Sequence, residues 1–421
     1  MHSVGLYCDY ANVTENAYLS RYIRDTYGLP VFIGGSQATL LTADFYQQAQ
    51  CQAVVRGEGE LTVLALLDCV LDGTGCLEDI AGISYWAEGK LHITPPRLPI
   101  MNLDALPFIE DSCYLQPRKN PYELSLLTGR GYPFTCAFCH EGSHTHNVRF
   151  RSSENVLAEI DAYIAAHPEE DELYLLFVDD TFTLNCERLQ KICVGLKARA
   201  QKVHLRWFCE GHIHTLFIHP EMIDLLADAG LQRLQLGIEA ETQKVLTAYG
   251  KHTTLDEIRE VLRHARDAGI PQIFGNIIVS GAHFTRKIWA QDLAFAKDIL
   301  TLGRSTLELG VIPYWPLVGT AMTLRPEKFG LHITDYDFAT SVEDFPQTET
   351  DTLGTFEVLR LWREMQREFS QHMEIMLRNR VVPLHRYFRF INGIIVISIM
   401  ASGGKLYRTC QHCFPIMACY S

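Results

Sequence analysis

Between residues 123 and 312 the chain repeats one pattern six times: an apolar run of strand length, a polar turn, then a helical run. The pattern predicts strands at 123–128, 173–178, 203–209, 233–238, 272–279 and 306–312. Helices are predicted between them, at 153–166, 186–200, 220–229, 254–268 and 287–302. Ser153 and Thr254 stand where helix caps belong, and Gly230 and Gly269 where helices stop. Each helix returns the chain to the edge where the previous strand began, so the strands run parallel. The expected fold class is therefore α/β, with a parallel sheet that curls into a partial barrel or a doubly wound layer.

The first ninety or so residues alternate strand and helix as well. Asn12 is placed to cap a helix, with Glu15 three residues on and Gly28 closing it. Val31 to Ile33 and Ala53 to Val55 read as short strands, ending in the glycine turns Gly34-Gly35 and Gly57-Glu58-Gly59-Glu60. This is the wiring of an open Rossmann-like sheet. The expected domains are 1–95, a linker at 96–122, the barrel at 123–320 and a mixed accessory region at 321–421. Within the last, a helix is expected from about Thr355 to Leu377.

A formal net charge of −13 argues against a general nucleic-acid surface, since phosphates need a basic field. The opening MHSVGLYCDYAN does not read as a secretory signal, and the apolar run from Phe390 to Ala401 is too short to cross a bilayer. The expectation is a cytoplasmic chain without a membrane span. Thirteen cysteines then point to metal or redox chemistry rather than disulfides. Two sets are closely spaced: Cys136 with Cys139, and Cys410 with Cys413 and Cys419.

In parallel barrels the carboxyl ends of the strands carry the chemistry. The first strand leads into a loop, Gly129 to His146, with two cysteines and three histidines; Asp179-Asp180 end the second, Glu210 follows the third, and Glu239 ends the fourth. Carboxylates gathered on one rim cost desolvation energy unless they face a ligand, a partner or water. The loop has three readings. Cys136-x-x-Cys139-His140 matches a c-type haem attachment, which requires export. Cys136 and Cys139 with two of His140, His144 and His146 permit tetrahedral zinc. An iron–sulfur loop needs a third thiolate.

Arg130-Gly131-Tyr132-Pro133 followed by Cys136-Ala137-Phe138-Cys139 resembles the cluster loop of radical S-adenosylmethionine enzymes, in particular those with an N-terminal cobalamin-binding domain. Phe177 to Phe182, Gly237-Ile238-Glu239, Lys251 to Thr254, Ala268-Gly269-Ile270 and Asn276-Ile277-Ile278 resemble further landmarks of that family, over residues 4 to 325. The resemblance implies a [4Fe–4S] cluster, S-adenosylmethionine and cobalamin as cofactors, and methyl transfer or radical modification as the activity. It implies Cys136 and Cys139 as cluster ligands. Phe138 would lie beside the adenine, Asp179 and Asp180 near the methionine end, Glu239 near the ribose, and Ile278 on the same cofactor. Gly34, Gly35, Gly57, Glu58 and Gly59 would meet the nucleotide tail of cobalamin. The implied partners are a small-molecule or peptide substrate and a reductant such as flavodoxin or ferredoxin.

The sequence departs from the pattern in three places. Tyr132 stands where the family has its first cluster cysteine, and a phenol is a hard oxygen donor in place of a soft thiolate. The family's Asp-x-His-x-x-Gly, whose histidine can bind cobalt, has no counterpart, so a partial cobalamin domain with weakened or lost affinity is expected. The turn after the fifth strand reads Ser280-Gly281-Ala282-His283-Phe284-Thr285 and lacks an expected acid. A non-catalytic relative, binding zinc or no metal, is the second reading.

Overall fold

The computed structural model describes residues 2–378, except 11, 110–112, 114–121, 145 and 335–344. The apolar run at 390–401 and the cysteines at 410, 413 and 419 lie outside the described residues.

The N-terminal unit is built on strands β1 (Val4–Tyr7), β2 (Val31–Gly34), β3 (Ala53–Val55), β4 (Ile83–Ala87) and β5 (Lys90–Ile93). They lie in the order 1-2-3-4-5; the first three are parallel and the last two antiparallel, so the sheet is mixed. Along β2 side chains alternate, as strand geometry requires. Val31 and Ile33 enter a core with Ala17, Phe45 and Tyr46, while Phe32 enters another with Val55, Leu66 and Ile83. Helices cover both faces, which explains the uninterrupted apolar character of these strands. The first helix, Val13–Tyr27, ends on Gly28, whose φ of 64° lets its N–H reach the Arg24 carbonyl. Its start differs from the expectation: the Asn12 side chain makes no helix-capping bond and instead accepts from the Asp9 N–H.

The six expected strands form one parallel sheet. They are β6 (Glu123–Leu126), β9 (Glu172–Phe177), β10 (His204–Gly211), β11 (Leu231–Glu239), β12 (Gln272–Val279) and β13 (Leu307–Pro313), each beside its predecessor. A short antiparallel pair, β7 (Gly129–Arg130) and β8 (Arg149–Phe150), forms a neck between β6 and β9. Helices Ser153–Ala166, Cys186–Arg199, Glu221–Asp228, Leu255–Asp267 and Arg286–Gly303 fill the crossovers. Thr254 makes a full capping box with Glu257. For Ser153–Ala166 the cap is Ser152, one residue earlier than expected, accepting from the Asn155 N–H. No helix among the described residues is long and apolar enough to cross a membrane.

The region after residue 320 is not a separate body as far as it is described. Helix Thr355–Arg378 lies against β13, and Val358, Leu361, Trp362, Met365 and Phe369 join the core that holds Leu124, Leu175 and Leu236. The Trp362 indole N–H donates to the Val311 carbonyl at 2.9 Å. Truncating Trp362 to alanine is expected to destabilise the barrel itself by about 3 kcal/mol. Thermal unfolding followed by circular dichroism at the helix band checks this; an unchanged main transition would show that the helix is independent.

Candidate functional site

The end of β6 is tied down by a buried acid. Asp179 accepts from the Thr128 N–H and Thr128 hydroxyl, both at 2.5 Å, and from the Gly129 N–H at 3.0 Å. Burial still pushes its carboxyl up. Arg188 closes this corner by donating to the Thr128 carbonyl at 2.9 Å. Asp179 thus ties the end of β6 to the entry of the loop. Asp180, the next residue, turns to the rim and is exposed.

Beyond the β7–β8 neck the cysteine loop holds its shape through its own contacts. Gly131, at φ 92°, runs so close to the Asn147 carbonyl that any Cβ would overlap it. The Ala137 N–H donates to the Tyr249 carbonyl at 2.8 Å, and the Ala137 carbonyl accepts from the Met322 N–H at 3.0 Å. Phe134 stacks on His212 with ring centroids 3.7 Å apart, and edge-on contacts join Tyr132 to Phe134 and Phe138 to Tyr249. Burial, with neighbouring Lys251 and two histidines, pushes His212 down to about 3, so the ring is neutral.

The chemistry-bearing groups converge. The Tyr132 hydroxyl lies 4.0 Å from the Cys136 sulfur. Burial first, then Cys136, Cys139 and Glu239, push the phenol far above its ordinary range. Burial raises the Cys136 thiol, opposed by Lys251, and lifts Cys139 to about 12 against the backbone N–H groups of Gly142 and Glu141. The donor set is thus two thiols and one phenol. Three thiolates would be needed to hold a [4Fe–4S] cluster, and these residues do not fit that requirement. Among the described residues no group of three His, Cys, Asp or Glu side chains is placed to hold a metal ion.

Glu239 sits at the end of β11 with φ 65°, where the register against β12 slips between Gly237 and Glu239. Its carboxylate pairs with buried Lys251 at 2.9 Å. A Cβ on residue 237 would overlap both the Glu239 carboxylate and the Lys251 ammonium, so Gly237-Ile238-Glu239 is a spatial requirement of this ion pair. Lys251 is the partner that strand-end reasoning missed; its signal was its place among the family landmarks. Glu210 accepts from the Gln235 amide at 2.7 Å. Burial, then Asp180 and Glu239, push it up to about 8; burial, then Glu141 and Asp179, push Asp180 to about 7. Solvent at exposed Asp180 screens that shift more than the one at Glu210. Ile278 is buried in the barrel core.

The glycine turns of the N-terminal sheet differ in how closely protein surrounds them. Gly35, at φ 127°, lies against the Cys8 backbone, where a side chain would overlap the carbonyl. Gly34 faces the Val55 side chain, Gly57 takes φ 76°, and Gly59 precedes helix Glu60–Leu71. Burial opposes ionisation of Glu58, but the Arg149 hydrogen bond, the Ile100 N–H and Arg130 outweigh it and hold its carboxyl below the ordinary range.

An open six-stranded parallel barrel with this loop on its carboxyl rim defines a protein of the radical SAM superfamily, and residues 126–295 match the model described as "Radical SAM superfamily". The chain is a radical SAM protein. It is 30% identical over 297 residues to an uncharacterized methyltransferase of Pyrococcus horikoshii, covering 68% of this chain and 59% of that one. It is 27% identical to an anaerobic magnesium-protoporphyrin IX monomethyl ester cyclase of Rubrivivax gelatinosus, over 56% of this chain and 43% of the relative. The chain therefore spans less than two thirds of these relatives' length. In fold it is similar to the radical S-adenosylmethionine methyltransferase TsrM of Kitasatospora setae (TM-score 0.62, 18% identity, 79% of this chain and 68% of that chain). It is also similar to the cobalamin-dependent S-adenosylmethionine radical enzyme OxsB (TM-score 0.58, 19% identity, 78% and 47%).

The raised acid Glu210 gives a pH dependence of stability. Unfolded, a glutamate titrates near about 4.3; folded, Glu210 holds its proton to about 8. Its stabilising contribution is full below the unfolded value and is lost as pH rises through the folded one. The melting temperature is expected to fall by a few degrees between about pH 5 and pH 8, and Glu210→Gln to flatten that slope. Melting curves across this range check it; an equal slope in the variant would be the contrary result.

Proposed function

We propose that this chain is a methyltransferase-like radical SAM protein that takes S-adenosylmethionine at the carboxyl rim of its barrel. In this reading Asp180 and Glu210 face the cationic methionine end, Glu239 faces the ribose, and Phe138 lies beside the adenine. The observation that carries it is the convergence on one rim of the cysteine loop, Asp180, Glu210 and the Glu239–Lys251 pair. A sulfonium and an ammonium group match these rim acids in charge, and their arrival favours loss of the Glu210 proton. A small-molecule or peptide substrate belongs to the same proposal; a reductant such as flavodoxin or ferredoxin would be called on only where the loop holds a cluster.

The cluster is the point of disagreement. Two thiols and a phenol supply too few soft donors for a cluster held by three cysteines. The proposal therefore includes no electron-transfer step. A second reading, a relative that keeps the fold and the nucleotide site without radical chemistry, is favoured specifically by buried, protonated Tyr132.

Anaerobic reconstitution with iron and sulfide separates the two. Tyr132→Cys is expected to raise iron and sulfide content several-fold over the parent and to permit reductive cleavage of S-adenosylmethionine to deoxyadenosine. Metal analysis and product chromatography read this, and a variant holding no more iron than the parent would remove Tyr132 from the third ligand position. Independently, Glu239→Gln leaves buried Lys251 without its counter-charge and is expected to weaken S-adenosylmethionine binding roughly tenfold, by calorimetry.

A further inference from the structure

The neck of the cysteine loop contains a conflict that the barrel does not resolve alone. Arg130 on β7 and Arg149 on β8 are directly opposite partners in an antiparallel pair. Like charges in that position destabilise pairing. The neck is two residues long on each strand, and the whole cysteine loop hangs from it.

The opposing charge comes from the N-terminal unit. One Glu58 carboxylate oxygen accepts from Arg149 Nη2 at 2.7 Å and lies 3.3 Å from Arg130 Nη1. The other accepts from the Ile100 N–H at 2.6 Å, while Arg149 Nη1 donates to the Ile100 carbonyl at 2.6 Å. Glu60 adds a second acid, accepting from Arg130 Nη2 at 2.5 Å. Side-chain exposure is 10% for Arg149, 20% for Glu58 and 21% for Arg130, so water screens this network only in part. Charge-assisted hydrogen bonds that share acceptors in such a setting fix orientation as well as supplying energy.

We propose that Glu58 is a positioning residue for the cysteine loop: by neutralising the Arg130–Arg149 pair it latches the neck shut, so the loop's geometry depends on the N-terminal unit. The Gly57-Glu58-Gly59-Glu60 turn then serves the barrel. Gly57, at φ 76° with no atom within 4 Å of a would-be Cβ, provides the bend that aims the two acids at the neck.

The test is amide hydrogen exchange on the full chain, comparing wild type, Glu58→Gln, Arg149→Gln and the double variant. Glu58→Gln is expected to speed exchange across residues 129–150 by roughly threefold to tenfold, leaving β10 to β13 unchanged. The double variant is expected to exchange no faster than Glu58→Gln alone, because removing Arg149 also removes the repulsion that Glu58 had offset. Unchanged loop exchange in Glu58→Gln, or independent addition of the two effects, overturns the proposal. Should Glu58→Gln loosen the N-terminal sheet as well, the double variant decides: a neck slower to exchange than in Glu58→Gln supports the latch, and a neck equally fast or faster overturns it. Titration with S-adenosylmethionine alone adds a readout that rests on the proposed function, a several-fold weaker affinity in Glu58→Gln. A loop that quickens while this affinity stays the same supports the latch and overturns instead the placing of the nucleotide against the loop.

Discussion

Keeping carboxylates at the open end of a parallel sheet, out of bulk water, is the constraint on which this structure turns. An ionised carboxylate moved from water into protein without compensation would cost more than a domain's whole stability. The rim offers three separate answers. Asp179 collects backbone and hydroxyl donors and becomes part of the scaffold. Glu239 is matched by Lys251. Glu210 keeps its proton and takes one amide donor from Gln235. Only the last two retain chemistry that an incoming cation could exploit.

The cysteine loop obeys a different economy. Its shape is set by a glycine at positive φ, by two main-chain bonds reaching Tyr249 and Met322, and by a run of ring contacts through Tyr132, Phe134 and His212. The phenol of Tyr132 fits edge-on against Phe134, with its hydroxyl 4.0 Å from the Cys136 sulfur.

Much of this could be read from the residues. The six barrel strands were placed to within about two residues, because strands buried on both faces are apolar along their length and their helices carry recognisable caps. The antiparallel pair Ile83–Ala87 and Lys90–Ile93 was not read, since its outer strand mixes Lys90 and His92 with apolar residues and packs at a sheet edge. Short helices such as Ile213–Ile218 and Gln243–Ala248 escaped because six residues are too few to show a helical period. The site was legible as a set of strand-end acids, but not the division of labour within it. Asp179 and Asp180 are adjacent and chemically alike, and only the direction of the pleat decides which one faces the rim. Helix Thr355–Arg378 was seen, yet its membership of the barrel core was not, because a sequence does not state which apolar face meets which.

Gly237 illustrates how a site can depend on a residue that has nothing to offer a ligand. It donates no side-chain atom and carries no charge, yet the space above its α-carbon is where the Glu239 and Lys251 side chains meet. A methyl group there would press on the far ends of two long side chains and make the pair swing aside. The cost of such a change would fall on the aim of the ion pair and not on the strand beneath it.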